Sequence, residues 1–190
     1  MQPGWVFIVF TTLLMVGLPG AGAANYLVDV EDGHAFVNFK FRHLGYSVLA
    51  GAFERFTGEF DWDPEDVSAS SVTIEIETRS LNSFHAERDK HIRDEKYLDT
   101  GKYPRAGFVS TRVEDKGDGR MLVHGDLTLR GVTKEIAIDV AKIGAGNDPW
   151  GGYRAGFEGY VTIDMRDFGV KSFIPLHTID MELFLEGIRR

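Results

Sequence analysis

Cysteine is absent from the 190-residue chain. That excludes a disulfide framework, a thiolate metal site and a lipid anchor attached through a thioether. Positive charge is also in short supply, with 21 Lys and Arg against 29 Asp and Glu, a formal net charge of −8. The first 24 residues carry no charged side chain, so the whole imbalance belongs to residues 25–190. An acidic surface argues against nucleic acid, and against anionic membranes, as main partners. Beyond Leu18 no apolar run is long enough to span a bilayer. Catalytic signatures are missing as well. There is no Gly-x-Ser-x-Gly elbow. The glycine-rich stretch Gly144–Gly152 lacks the Gly-Lys-Ser/Thr ending of a phosphate loop and leads into a strand. It reads instead as a connection with Trp150 covering one barrel end. Asp115–Gly119 is too short for a calcium loop and has no distal Glu.

What is present begins with a leader. Trp5–Leu18 is an almost unbroken apolar run, Pro19-Gly20 breaks it, and Ala21-Gly22-Ala23 places small residues where a signal peptidase reads. At about 14 residues the run falls short of the roughly 20 needed to span. Cleavage after Ala23 is expected, leaving residues 24–190 as one domain in the periplasm of a bacterium. About 167 residues bury a core large enough to do without disulfides.

The domain alternates with the period of half-buried strands. Tyr26-Val28-Val30, Ala35–Phe41, Phe56–Trp62 and Val72–Ile76 are strands, and His43–Ser47 interrupts the second. Gly58 marks a bend or a close backbone approach. Ala106–Val113 and Arg120–Leu129 flank the turn Asp115–Gly119. Thr133–Ile143 follows a tight Arg130-Gly131 turn, Gly144–Gly152 is a loop, and Ala155–Ile163 and Ile179–Leu185 complete the set. Eight to nine closely spaced strands predict an all-β antiparallel sandwich or barrel.

One segment breaks the pattern. His85–Arg93 has helical spacing, with Asn82 or Ser83 as N-cap. Counted from Phe84, positions 84, 88, 91, 92 and 95 share a face, which sets Arg88 and His91 between Phe84 and Ile92. If that face packs inward, both cations need partners. Protein carboxylates are favoured over a ligand's polar head, and the helix, around residues 84–98, closes part of the barrel. The six histidines suggest a metal, but His85 and His91 point different ways on a helix and the others are scattered. No metal or other cofactor is expected.

Fourteen Phe is a large supply, much of it on the apolar phase of consecutive strands. A packed core and a cavity for an apolar ligand are both open on pattern alone, since eight strands enclose just enough room for either. The candidate bore residues are Phe39, Phe41, Phe56, Phe60, Ile74, Ile76, Phe108, Leu127, Leu129 and Phe157. A one-residue slip would exchange every face.

The motifs His34-Ala-Phe-Val-Asn-Phe39, His43-Leu-Gly-Tyr-Ser47, His85-Ala-Glu-Arg-Asp-Lys-His91, Lys102-Tyr-Pro104, Gly125–Lys134 and Asp148–Phe157 run in order through the domain. Together they resemble the YceI family of secreted, lipocalin-like proteins. The resemblance implies an extended eight-stranded antiparallel barrel with one inserted helix, whose apolar bore takes a polyisoprenoid or other long-chain lipid. It also implies a periplasmic location and a possible homodimer, with no stable membrane insertion. At Val48-Leu49-Ala50 smaller residues replace a bulky aromatic of the family pattern, which would reshape the local bore. His43, Arg88 and His91 join the candidate ligand-binding residues. The leading expectation is a non-enzymatic lipid carrier. The alternatives are a secreted enzyme centred on Arg88 and His91, or a stress-related structural protein with a filled core.

Overall fold

The computed structural model describes residues 22–171 and 177–190. All but the last two residues of the expected leader therefore lie outside the described residues.

Alternating branched and aromatic side chains give strands β1 (Ala24–Val28), β2 (Phe36–His43), β3 (Ser47–Phe53), β4 (Phe56–Trp62), β5 (Ser71–Glu77), β6 (Leu81–Asn82), β7 (Arg105–Gly117), β8 (Arg120–Leu129), β9 (Val132–Asn147), β10 (Tyr153–Asp164) and β11 (Thr178–Arg189). Eight of them close a ring in the order β1-β4-β5-β7-β8-β9-β10-β11, with β11 returning to β1. Every pairing in it is antiparallel. The barrel expected from the sequence is the one observed.

β11 holds the ring together. Its residues 187–189 pair with β1 and its residues 180–184 pair with β2, along one edge. β1 and β2 thus act as a single strand interrupted at residues 29–35, where Gly33 has a φ of 76°. β3 folds back on β2 and carries the two-residue β6. The end holding the β9–β10 loop is called upper here. The lower end holds the β2–β3 and β8–β9 turns and the helix α1 (Ala86–Arg93).

Four details depart from the sequence reading. β3 was not expected, because Ser47-Val-Leu-Ala-Gly-Ala-Phe53 has no polar phase. His43–Ser47 is accordingly a hairpin turn and not an interruption, with positive φ at Leu44 (52°) and Gly45 (80°). β9 runs on through Gly144 to Asn147, pairing Ala145 with Ala155, so the loop shrinks to residues 148–152. Trp150 does not cover the barrel end: it is 77% exposed and stands over the Arg154 guanidinium at 5.4 Å. The helix cap is neither Asn82 nor Ser83. His85 caps α1, its Nδ1 accepting from the Arg88 N–H. The Arg130-Gly131 turn is as expected, and the hairpin expected at Asp115–Gly119 narrows to Asp118-Gly119 because β7 runs on to Gly117; both turns have positive φ at both positions, as a two-residue hairpin prefers.

Candidate ligand-binding bore

Side chains on the inner phase of the ring enclose two chambers, one above the other. Phe60, Ile74, Phe108 and Phe157 line the upper chamber, together with Trp62, Met121, Ile138 and Leu183. Its volume is ≈ 80 Å³. Phe39, Phe41, Ile76, Leu127 and Leu129 line the lower one, with Phe53, Leu81, Ile163 and Met181. That chamber measures ≈ 150 Å³, the size of an apolar cavity that stays dry and admits a small hydrocarbon. Polar lining is confined to Asp61, Ser70, Ser71 and Glu158 above and Tyr97 below.

The rings lie against the wall because glycine on an adjacent strand, or on the next but one, leaves room for them. A Cβ on Gly125 would sit 2.5 Å from Phe108 Cζ, one on Gly51 2.4 Å from Phe39 Cζ, and one on Gly187 2.4 Å from Phe60 Cε1. Gly58 has the Thr73 carbonyl oxygen 3.0 Å from where a Cβ would be, the close backbone approach expected of it, and the Ile74 Cδ1 closer still at 2.3 Å. Aromatic contacts hold the rings in place. Tyr26 stacks on Phe60 at 4.9 Å, and Phe157 meets Phe60 and Trp62 edge-on at 5.4 and 5.1 Å. A wall of Phe therefore coexists with two apolar chambers.

Four of the sequence candidates line neither chamber. Phe56 is buried in the core beside them. His43 ends β2 at the exposed turn. Arg88 and His91 do not form a pair. The inward residues of α1 are Asp89 and Ile92, whereas Phe84, His91 and Glu95 are exposed. The face inferred from the sequence was counted from Phe84, which precedes the helix and has a φ of 63°. The frame of the helix is instead set by Ser83, whose N–H and hydroxyl both donate to Asp89 Oδ1, the first at 2.8 Å. Arg88 donates through Nε to Ser83 Oγ at 2.8 Å and also to the Ser83 carbonyl. The carboxylate partner expected for Arg88 is absent among the described residues, and so is any ion pair of His91. What α1 brings to the lower chamber is Ile92, followed by Tyr97 and Leu98 from the turn after it. It closes that part of the barrel, as its sequence position suggested.

An ionic cluster outside the barrel ties its upper half together. Arg154 on β10 donates to Asp29 at 2.6 Å, Asp148 at 2.8 Å and Glu186 at 2.6 Å, and His34 Nδ1 lies 2.9 Å from Asp29. Asp29, His34 and Glu186 offer converging ligand atoms for a metal ion. The guanidinium already bridges the two carboxylates where a cation would sit. Burial alone would raise the Asp29 carboxyl, but hydrogen bonds from His34 and Arg154 outweigh it and hold the group below the usual carboxylate range. The hydrogen bond to Asp29 in turn raises the His34 imidazole. Linkage then gives opposite signs. The His34 contribution is complete below about pH 6.5 and fades as pH rises through its raised value, while that of Asp29 is lost as pH falls below about 4. Asp29→Asn should therefore return the His34 titration, followed by NMR, towards its ordinary value. An unchanged titration would mean that Asp29 does not set it.

The family model described as a YceI-like domain matches residues 28–186. The chain belongs to the YceI family. Among curated YceI relatives, a UPF0312 protein of Vibrio cholerae is 50% identical over 186 residues, covering 94% of this chain and 98% of the relative. A UPF0312 protein of Vibrio vulnificus is 49% identical over 178 residues, covering 93% and 94%. The fold is shared with solved structures. BcnA of Burkholderia cenocepacia superposes with a TM-score of 0.76 at 20% identity, covering 84% of this chain and 98% of that one. A Campylobacter jejuni YceI protein gives 0.72 at 25% identity, covering 78% and 90%. A polyisoprenoid binding domain from Saccharophagus degradans, described as implicated in plant cell wall breakdown, gives 0.61 at 17% identity, covering 88% and 99%.

Proposed function

We propose that this protein is a periplasmic carrier that holds one long-chain lipid, of isoprenoid type, along its bore. The observation that carries this reading is the pair of apolar chambers enclosed by side chains of the upper and lower halves of the ring. β10 and β11 pair over residues 154–164. At about 3.4 Å per residue and a tilt of roughly 40°, that length gives a bore of about 26 Å, which suits a chain and not a compact molecule. Burial contributes roughly 0.8 kcal/mol per CH₂, offset in part by ordering a flexible chain. Specificity would come from bore length and from the few polar groups at the mouths. The name of the Saccharophagus polyisoprenoid binding domain supports the same ligand class, and the apolar run Trp5–Leu18 followed by Ala21-Gly22-Ala23 supports a cleaved leader and export.

The enzyme alternative loses its centre, because Arg88 turns to Ser83 and His91 faces outward. A structural protein with a filled core would have no chambers. The deciding experiment is native mass spectrometry and solvent extraction of protein purified from cells without detergent. A bound species of lipid mass is expected, and apo protein alone with no extractable lipid would refute the carrier. Met181→Trp, which places an indole in the lower chamber, should cut recovered lipid several-fold while leaving the fold intact by circular dichroism. Undiminished recovery would place the chain elsewhere.

A further inference from the structure

The charge of this protein is not spread evenly. From Gly33 to Phe53 there is no carboxylate at all, although the chain holds 29. That stretch forms β2, the β2–β3 turn and β3, and its tip is both basic and apolar. Leu44 is 51% exposed, Tyr46 88% and Val48 56%. β6 covers β3 only at Ala52 and Phe53, so Ser47–Gly51 is an open strand edge. Natural edges are usually guarded by charge or proline; this one carries exposed apolar side chains. Continued by two residues, the β3–β6 register sets Phe84, itself 79% exposed, opposite Ala50 on the same edge. Arg42 flanks Val48 across the β2–β3 pairing, and Lys90 is exposed on α1, six positions after Phe84 in the chain. Among the described residues neither Arg42 nor Lys90 makes an ion pair.

The surrounding acids do not cancel this patch. Glu87 is the exposed carboxylate within α1, since Asp89 is buried against Ser83. Asp94 and Glu95 follow at the far end of the helix. Asp164 is held by Arg166, and Glu182 by Lys40. The patch also stands at the lower chamber: Leu49, paired with Phe41, packs on the core directly behind the tip.

We propose that this edge, with Leu44, Tyr46, Val48 and Phe84 and the unpaired cations Arg42 and Lys90, is a docking surface for an anionic lipid bilayer. An apolar tip within a basic collar is the pattern of interfacial binding, in which shallow burial and attraction to anionic headgroups add. Tyr suits the headgroup level. A second copy is the poorer occupant, because two edges that both carry uncompensated positive charge repel. The net charge of −8 keeps the rest of the surface away from the same headgroups and so orients the barrel, lower chamber towards the membrane. This goes beyond the carrier reading, and its test involves no carried lipid.

The cysteine-free chain allows a local readout, needed because the apolar run Trp5–Leu18 could bind vesicles by itself. Tyr46→Cys, and Asp115→Cys on the upper half as control, each carry an environment-sensitive fluorophore. Vesicles of equal parts phosphatidylglycerol and phosphatidylcholine should blue-shift the label at position 46 and leave that at 115 unchanged. Vesicles of phosphatidylcholine alone should give little shift. Adding Arg42→Glu and Lys90→Glu should weaken the response at 46 by roughly ten- to thirtyfold, with unchanged thermal unfolding. The proposal fails if both labels shift alike, if neutral vesicles serve as well, or if the charge reversals have no effect. It also fails if the label at 46 shifts without vesicles as protein concentration rises, which would make a second copy the occupant.

Discussion

Gly125→Ala should lower stability by about 3 kcal/mol, at the upper end of overpacking costs, and the melting temperature by roughly 6–12 °C. The added methyl would meet Phe108 Cζ and the Val109 carbonyl oxygen, both 2.5 Å away. A ring can swing aside, but a carbonyl within the β7–β8 ladder cannot move without breaking its register. Gly187→Ala offers a graded comparison. There the closest atoms are those of the Phe60 ring at 2.4 and 2.6 Å, with Tyr26 Cβ at 3.0 Å. The ring can yield only by leaving the wall, so this variant should lose less stability, about 1–2 kcal/mol, and more of the upper chamber. Gly144→Ala has nothing within 4 Å and should stay within about 0.5 kcal/mol of the parent. Thermal and urea unfolding of the three variants test the order. If Gly125→Ala melted with the parent, the account of rings held flat over glycine would be wrong.

Asp89→Ala should cost about 3 kcal/mol. Its carboxylate accepts from both the N–H and the hydroxyl of Ser83, a residue only 1% exposed. Hydrogen bonds to a charged group contribute about 1.5–3 kcal/mol, and the buried donors left behind have no water to turn to. Arg88→Ala should cost less, about 1 kcal/mol, because the Ser83 hydroxyl keeps Asp89 as its partner. The order matters for function as well as stability. α1 supplies Ile92 and leads to Leu98 in the lower chamber, so loosening it should speed both amide exchange over residues 86–98 and release of a bound lipid. Equal losses for the two substitutions, measured by urea unfolding, would mean that Arg88 anchors the helix after all.

The two substitutions also mark where the sequence was readable. Strong alternation made most ring strands legible, and it put Phe39, Phe60, Phe108, Leu127 and Phe157 on the inner phase where the structure has them. β3 escaped because the outer positions of Val48 and Ala50 are as apolar as the inner ones. Phe53, which lines the lower chamber, was missed with it. The face of α1 was misjudged through its starting point, since a residue with positive φ such as Phe84 resets the phase of the helix after it. The Asp29–Arg154 contact spans 125 positions, and no local pattern encodes a partner that far away. Phe56 shows a further limit: the right phase places a ring inside without deciding whether it borders space or other side chains.

The placement of β11 has a consequence for how the container comes into being. Tyr26 pairs with Arg189 and Val37 with Leu183, so the two longest sequence separations in the barrel are joined by one strand. Neither half of the wall can shut until that strand arrives, and the entropy of closing such loops must be met first. Folding dominated by distant pairings proceeds over milliseconds to seconds. Until then the ring strands form an open sheet with its apolar face unprotected, and there is no cavity to fill. A ligand can only be taken up after the chain has finished folding, or as the final act of that folding.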